Sequence, residues 1–186
     1  GFIAPTQLEL FGPSVRIVRG ADGKIDLGFA NRVGESDEAV GNALFGELLL
    51  PLDRDLAGGY LRRISIIEGH ISVRDDGLDI DWSAPVRELL LERHEDGVRS
   101  RAALALALGE DEIELDVVAQ YRLGEARLDL TVNFDRLVPA ALALAHPTLT
   151  GLADLDLPLT GYVDVIVGAG GELGDIAFDL AGGPGR

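Results

Sequence analysis

VRSRAALALALG (residues 98–109), DEIELDVVAQYRLG (111–124) and EARLDLTVNF (125–134) follow one another almost without interruption. Each alternates apolar and polar residues, the period of two that belongs to a strand with one apolar face. In the first, Val98, Leu104, Leu106 and Leu108 share a face, and Arg99, Arg101 and the small Ala103, Ala105 and Ala107 share the other. In the second, Ile113, Leu115, Val117, Ala119 and Tyr121 stand against Glu112, Glu114, Asp116, Gln120 and Arg122. In the third, Leu128, Leu130, Val132 and Phe134 stand against Arg127, Asp129, Thr131 and Asn133. Short Gly/Asp/Glu turns separate the three. The pattern predicts an antiparallel meander.

The same rhythm extends in both directions. Gln7–Phe11, Ser14–Arg19 and Lys24–Phe29 read as short strands, punctuated by Gly12-Pro13 and Ala21-Asp22-Gly23. Arg62–Glu68, His70–Arg74, Leu78–Trp82 and Val86–Glu92 continue the series, with breaks at Glu68-Gly69, Asp75-Asp76-Gly77 and Ala84-Pro85. Leu155–Val167 and Glu172–Ala181 form a hairpin around a Gly-rich turn at Gly168–Gly171. Two segments depart from the rhythm. Ser36–Leu50 has an N-cap serine, acids in its first turn and helical spacing of apolar residues before Pro51, and Val138–Ala145 is a shorter helix closed by His146-Pro147. Roughly 55% of the chain reads as strand, far above the usual share. The expected fold is therefore all-β with minor helix, a single β-rich unit over 1–186 built on an elongated, twisted antiparallel sheet.

Composition explains why the two faces must be sorted. The chain has 186 residues, of which 47% are hydrophobic, yet 32 acids oppose 16 bases for a net charge of −16. A body this acidic repels a phosphate backbone, and with only 5% aromatic residues it has few platforms for stacking bases. Nucleic acid is excluded as a partner on both grounds. The chain has no Cys, which removes disulfides and thiolate metal sites. It has no Met even at position 1, so the stretch is expected to lie within a longer product or to follow a processing or cloning scar. No apolar run approaches the roughly 20 residues of a spanning helix.

A sheet with one apolar face must cover it. Periodicity alone points first to a second sheet and a closed sandwich, a structural or protein-interaction module without ligand. The inner-face residues are nearly all Leu, Val and Ile with few large rings, and that composition tilts instead toward a trough filled by something apolar. Strands of about nine to eleven residues span roughly 30 Å, the length of an extended acyl chain. The residues expected to line such a trough are Leu104, Leu106 and Leu108, then Ile113, Leu115 and Val117, then Leu128, Leu130 and Val132, with Val163, Val165 and Val167 continuing it.

The C-terminal stretch VPAALALAHPTLTGLADLDLPLTGYVDVIVGAGGELGDIAFDLAGGPGR resembles a recurring element of AsmA-like proteins. The matching features are a short helix with Pro139, then Leu152 and Leu155, Leu157-Pro158-Leu159-Thr160-Gly161, and an alternating strand. A Gly-rich turn, a second strand and Gly182-Gly183-Pro184-Gly185 complete them. LRRISIIEGHISVRDDGLDIDW is similar to that family's unit of strand, acidic-Gly turn and strand. The resemblance covers about two thirds of the chain and is weakest before Arg62. It implies a bacterial envelope protein, anchored in the inner membrane outside this stretch, whose repeating β-groove faces the periplasm. The groove would carry phospholipid acyl chains between the membranes and so serve outer-membrane homeostasis, with other envelope proteins as further partners. The family brings no catalytic motif.

The residues offer little for chemistry. His70, His94 and His146 have no metal-ligand spacing, and HExxH, CxxC and GxSxG arrangements are absent. The acidic run from Asp75 to Asp81 lacks the twelfth-position Glu of a calcium loop, since Val86 stands there. Its Asp79 and Asp81 alternate with Leu78, Ile80 and Trp82 as on a solvated strand. GAGGEL lacks the phosphate-binding fingerprint and joins two strands. Glycosidase carboxylates have many candidates but no aromatic sugar platform. Trp82 reads as a core or rim anchor, and Arg99 and Arg101 as cross-strand partners for acids ahead of the alternative, contact with a lipid headgroup. The expectation is a non-enzymatic protein with neither cofactor nor metal.

Overall fold

The alternating stretch at 98–134 becomes three neighbouring strands of one large sheet. The computed structural model describes residues 6–21, 25–30, 57–77, 80–108, 111–143, 147–168 and 172–183. Ten strands account for most of these: β1 (Gln7–Phe11), β2 (Ser14–Arg19), β3 (Ile25–Ala30), β4 (Arg63–Asp75), β5 (Ile80–His94), β6 (Gly97–Leu108), β7 (Asp111–Arg122), β8 (Arg127–Leu137), β9 (Leu159–Val167) and β10 (Leu173–Gly182). They form an open, twisted sheet in the order β10-β9-β8-β7-β6-β5-β4-β2-β3, with β1 also paired to β4. The closed sandwich is not the arrangement of the described strands. All ten belong to one sheet, and no second layer of described residues stacks upon it.

From β4 to β10 the sheet is antiparallel, each strand pairing with the next in sequence. At the other edge it departs from the expected antiparallel pattern. β1 and β2 pair in parallel with successive halves of β4, Gln7 beside Arg63 and Ser14 beside His70. They act as one strand kinked at Gly12-Pro13. Gly12 takes a φ of 65°, its N–H donates to the Ile67 carbonyl at 2.9 Å, and His70 N–H donates to the Pro13 carbonyl at 2.8 Å.

The kink propagates across the sheet. Beside it in β4, Glu68 has a φ of 54°, and in β5 the register with β6 shifts between Val86 and Glu88. In all three places the apolar face changes parity: Leu8 and Leu10 give way to Val15 and Ile17, Ile64 and Ile66 to Ile71 and Val73, and Leu91 and Leu89 to Val86 and Ala84. A bulge changes which residues of a strand face the core, and bulges aligned on adjacent strands keep the apolar face continuous. Gly69 is required on this line. A Cβ there would stand 2.7 Å from Ile66 Cγ2 and 3.1 Å from the Pro13 carbonyl oxygen.

Two breaks expected from sequence are passed through. Glu68-Gly69 is absorbed as the kink within β4. Ala84-Pro85 lies inside β5, where pairing with β6 extends only as far as Val86. At Pro85 the β6 side of β5 is thus an edge, where a residue without an N–H costs no ladder bond. The expected helix over 36–50 lies outside the described residues. The shorter one becomes a single turn, α1 (Pro139–Leu142), with proline at its start, and residues 144–146 lie outside the described set. Short 3-10 turns occupy Ala57–Tyr60 and Pro147–Leu152.

The core gathers on the apolar face at the β1–β6 side. Val15, Leu61, Ile64, Ile66, Leu91 and Val98 form a buried cluster, with Leu8, Leu10, Ile17, Ile71 and Leu89 packed against it. Leu61, just beyond the first 3-10 turn, is 1% exposed, and Ile66 is fully buried. Ile66→Ala is expected to cost about 2–5 kcal/mol, read as a lower urea midpoint at an unchanged denaturant slope.

Candidate functional site

Cross-strand register places the predicted trough residues on one face. Moving from β6 to β10, Leu104, Leu115, Phe134, Gly161 and Leu180 make one row across the sheet. Ala102, Val117, Val132, Val163 and Phe178 make the next, and Ser100, Ala119, Leu130, Val165 and Ile176 a third. Val98, Tyr121, Leu128, Val167 and Leu173 close the series, while Leu106 pairs with Ile113 beyond the first row. Five strands at roughly 4.8 Å spacing give an apolar floor about 20 Å wide. Among the described residues its only polar side-chain groups are the hydroxyls of Ser100 and Tyr121.

Burial falls along this floor. Leu104 and Ile113 are buried, whereas Leu106, Leu115, Val117, Leu128, Leu130, Val132, Val163, Val165 and Val167 are half-buried. Leu108 pairs with Asp111 at the β6–β7 tip, and its side chain lies outside the description. On β10 the residues are open to solvent, with Ile176 at 55% and Phe178 at 67% exposure. The β6–β10 floor is therefore an apolar face that the described residues cover only in part.

The opposite face is built for water. Glu112, Glu114, Asp116 and Asp179 point from it into solvent. Arg87, beside the β5 bulge, reaches across β6 to Glu114 on β7 at 2.5 Å and to Glu112 at 3.6 Å. The residues of β6 opposite those acids are Ala105 and Ala107, so small side chains stand where the guanidinium crosses. Ala105 is buried despite facing the polar side. Arg122 pairs with Asp129 at 3.1 Å, and the Thr131 hydroxyl donates to Asp164 at 2.5 Å. Arg63 donates to Glu92 at 2.5 Å, and chiefly this bond holds the Glu92 carboxyl below its ordinary range.

The expected pairing of Arg99 and Arg101 with acids is not found. Both are exposed, and neither forms an ion pair among the described residues. Arg99 lies opposite Glu92, whose carboxylate is taken by Arg63. Trp82 stands half-buried on the apolar face beside Val73, as a rim anchor would.

No family model, no curated protein and no solved structure matches this chain. The site therefore has to be read from its own residues. His70 and His94 are exposed on β4 and β5, and His146 lies outside the described residues. Among the described residues no three His, Asp or Glu side chains group as metal ligands, and no helix is long and apolar enough to cross a membrane.

Beyond the predicted trough residues, β10 and the β1–β5 half of the sheet also contribute to the apolar face. The signal for β10 was present, since Ile176, Phe178 and Leu180 alternate with Ala177 and Asp179. For β4 and β5 the parity changes at Glu68 and Arg87 broke the alternation, and only pairing restores it.

Proposed function

We propose that this chain is a periplasmic segment of an AsmA-like protein, in which the apolar face of β6–β10 holds phospholipid acyl chains for passage between the two membranes of a bacterial envelope. The observation that carries this reading is the floor itself: four rows of mainly apolar residues, most of them half-buried, with Val98, Leu104 and Phe134 buried and those of β10 exposed, and with two hydroxyls as the only polar side-chain groups among the described residues. Each methylene moved from water onto such a surface contributes about 0.8 kcal/mol when fully covered. A surface without polar anchors offers no fixed register, so a bound chain slides along it. The acidic opposite face keeps the sheet in water and repels anionic headgroups, which orients lipid toward the apolar side. The motif resemblance of the C-terminal stretch and of residues 61–82 supports the family, the inner-membrane anchor of the longer protein and the periplasmic location. No catalytic role is assigned to any residue.

Site-specific photo-crosslinking in bacterial envelopes tests it. A probe at Val132, in the middle of the floor, is expected to yield phospholipid adducts identified by mass spectrometry. A probe at Val118, on the adjacent strand and the opposite face, is expected to yield none. Protein adducts alone at Val132 would replace lipid by a polypeptide as the occupant of the floor.

A further inference from the structure

We infer that an acyl lipid on the floor lies along the strands, with its anionic head at the Tyr121 end and its methyl end toward Leu106 and Ile113. This rests on the lipid-binding role proposed for the floor and gives that role a direction. From the Leu106–Ile113 pair to the Val98–Tyr121 pair the register advances eight residues, about 27 Å, a length comparable to an extended acyl chain. The polar end of such a chain therefore falls at one end of the strands or at the other.

The two ends differ on the apolar face itself. The rows that hold Leu104 and Ala102 carry no polar side chain from β6 to β10, and neither does the Leu106–Ile113 pair beyond them. Both hydroxyls of the floor, those of Ser100 and Tyr121, lie in the last two rows. Tyr121 is half-buried, and its hydroxyl makes no hydrogen bond among the described residues. Arg93 continues the Tyr121 row onto β5, opposite Val98, and is 7% exposed. A guanidinium thus stands on the apolar face at this end.

Charge is graded the same way. Around the β5–β6 and β7–β8 turns stand Arg63, Arg93, Arg99, Arg101, Arg122 and Arg127, with Glu92, Glu95, Asp96, Glu125 and Asp129 among them. Arg99 and Arg101 are exposed and form no ion pair among the described residues. Around the β4–β5 and β6–β7 turns acids prevail, with Asp75, Asp76, Asp81, Glu112, Glu114 and Asp116 against Arg19, Arg74 and Arg87. A chain of net charge −16 repels an anion over most of its surface, and least at the Tyr121 end. The gradient sets which way a bound chain points. It leaves that chain free to move sideways, because Leu128, Val167 and Leu173 continue the Tyr121 row without a polar group.

Two stearic acids carrying a diazirine, one beside the carboxylate and one at the methyl end, test the direction. Each is photolysed on the folded chain, and the adducts are located by peptide mass spectrometry. The carboxylate-side probe is expected to label Tyr121 and Leu128, and the methyl-end probe Leu106 and Leu115. Floor adducts at the same positions for both probes, or in the reverse order, overturn the inference and leave lipid binding standing. Adducts away from the floor, or none, remove the binding role together with it. Affinity then separates a head contact from lost packing. Tyr121→Phe keeps the ring and removes the hydroxyl, so it is expected to weaken stearate roughly tenfold, the scale of one hydrogen bond to a charged group, and to leave its methyl ester unchanged. Equal loss for acid and ester, or loss for neither, overturns the assignment of the head to Tyr121.

Discussion

Gly97→Ala is expected to lower stability by about 3 kcal/mol or more, the range of a backbone conformation that the surroundings cannot accommodate. Gly97 follows the Glu95-Asp96 turn and opens β6 with a φ of 155°, a conformation that L side chains rarely adopt. A Cβ there would stand 1.8 Å from the Tyr121 carbonyl oxygen and 2.9 Å from its carbon. Both atoms are backbone, so no rotamer change relieves the clash. Gly97 pairs with His94 on one side and Arg122 on the other, and moving it disturbs the β5–β6 and β6–β7 ladders together. Gly124, in the next turn at the same end, is the control. A Cβ there meets nothing within 4 Å, and Gly124→Ala is expected to change stability by less than about 0.5 kcal/mol. Urea denaturation of the two variants measures the contrast. Equal stability would mean that the hairpin does not hold Gly97 against β7.

Val132→Asp is expected to reduce the affinity for an acyl ligand by roughly a hundredfold, the scale of burying one unpaired polar group without compensation. Val132 lies between Val117 and Val163, with strands on both sides, so an acyl chain crossing the floor there cannot avoid it. Val118→Asp makes the same chemical change one strand away on the exposed, opposite face, and is expected to leave binding unaltered. Displacement of a fluorescent fatty acid reads both, with Val132→Thr, nearly isosteric and uncharged, as a check that loss of binding is not loss of fold. A Val132→Asp variant that binds as well as the parent would remove the floor from the proposal.

The sheet makes these effects separable. Its polar side is knitted by cross-strand bonds such as Thr131 to Asp164 and Arg87 to Glu114, while the apolar side depends on whatever covers it. At the β1–β6 end that cover is internal, with Leu61 and its neighbours sealing Ile64 and Ile66. Across β7 to β9 the floor is mostly half-buried, and on β10 Phe178 stands in solvent. One sheet thus provides a stable core at one end and an uncovered apolar surface at the other. Substitutions at Ile66 therefore read stability, and those at Val132 read binding.

What the sequence by itself determined is the two-faced character of the strands. Side chains alternate along an extended backbone whatever its neighbours are, so Leu128, Leu130 and Val132 had to share a face, and Arg127, Asp129 and Thr131 the other. That local rule gave β1 and β2 their observed bounds and β6 its bounds to within a residue, whereas β8 runs on to Leu137, three residues past the expected Phe134. It brought eleven of the trough candidates to one side, the side chain of the twelfth, Leu108, lying outside the description. What only the tertiary structure decided is pairing. β1 and β2 lie parallel to β4 because a single kinked strand fits along an edge that bends at Glu68, a fact that no local pattern contains. The same bend returns Ile71, Val73, Val86 and Ala84 to the apolar face after their alternation breaks. Pro85 sits within a strand because β6 turns away from β5 just before it. Whether a second sheet covers the apolar face is likewise a matter of chain segments far apart in sequence, and here the described strands all join one open sheet. Alternation is a property of one strand, whereas register and cover are properties of its neighbours.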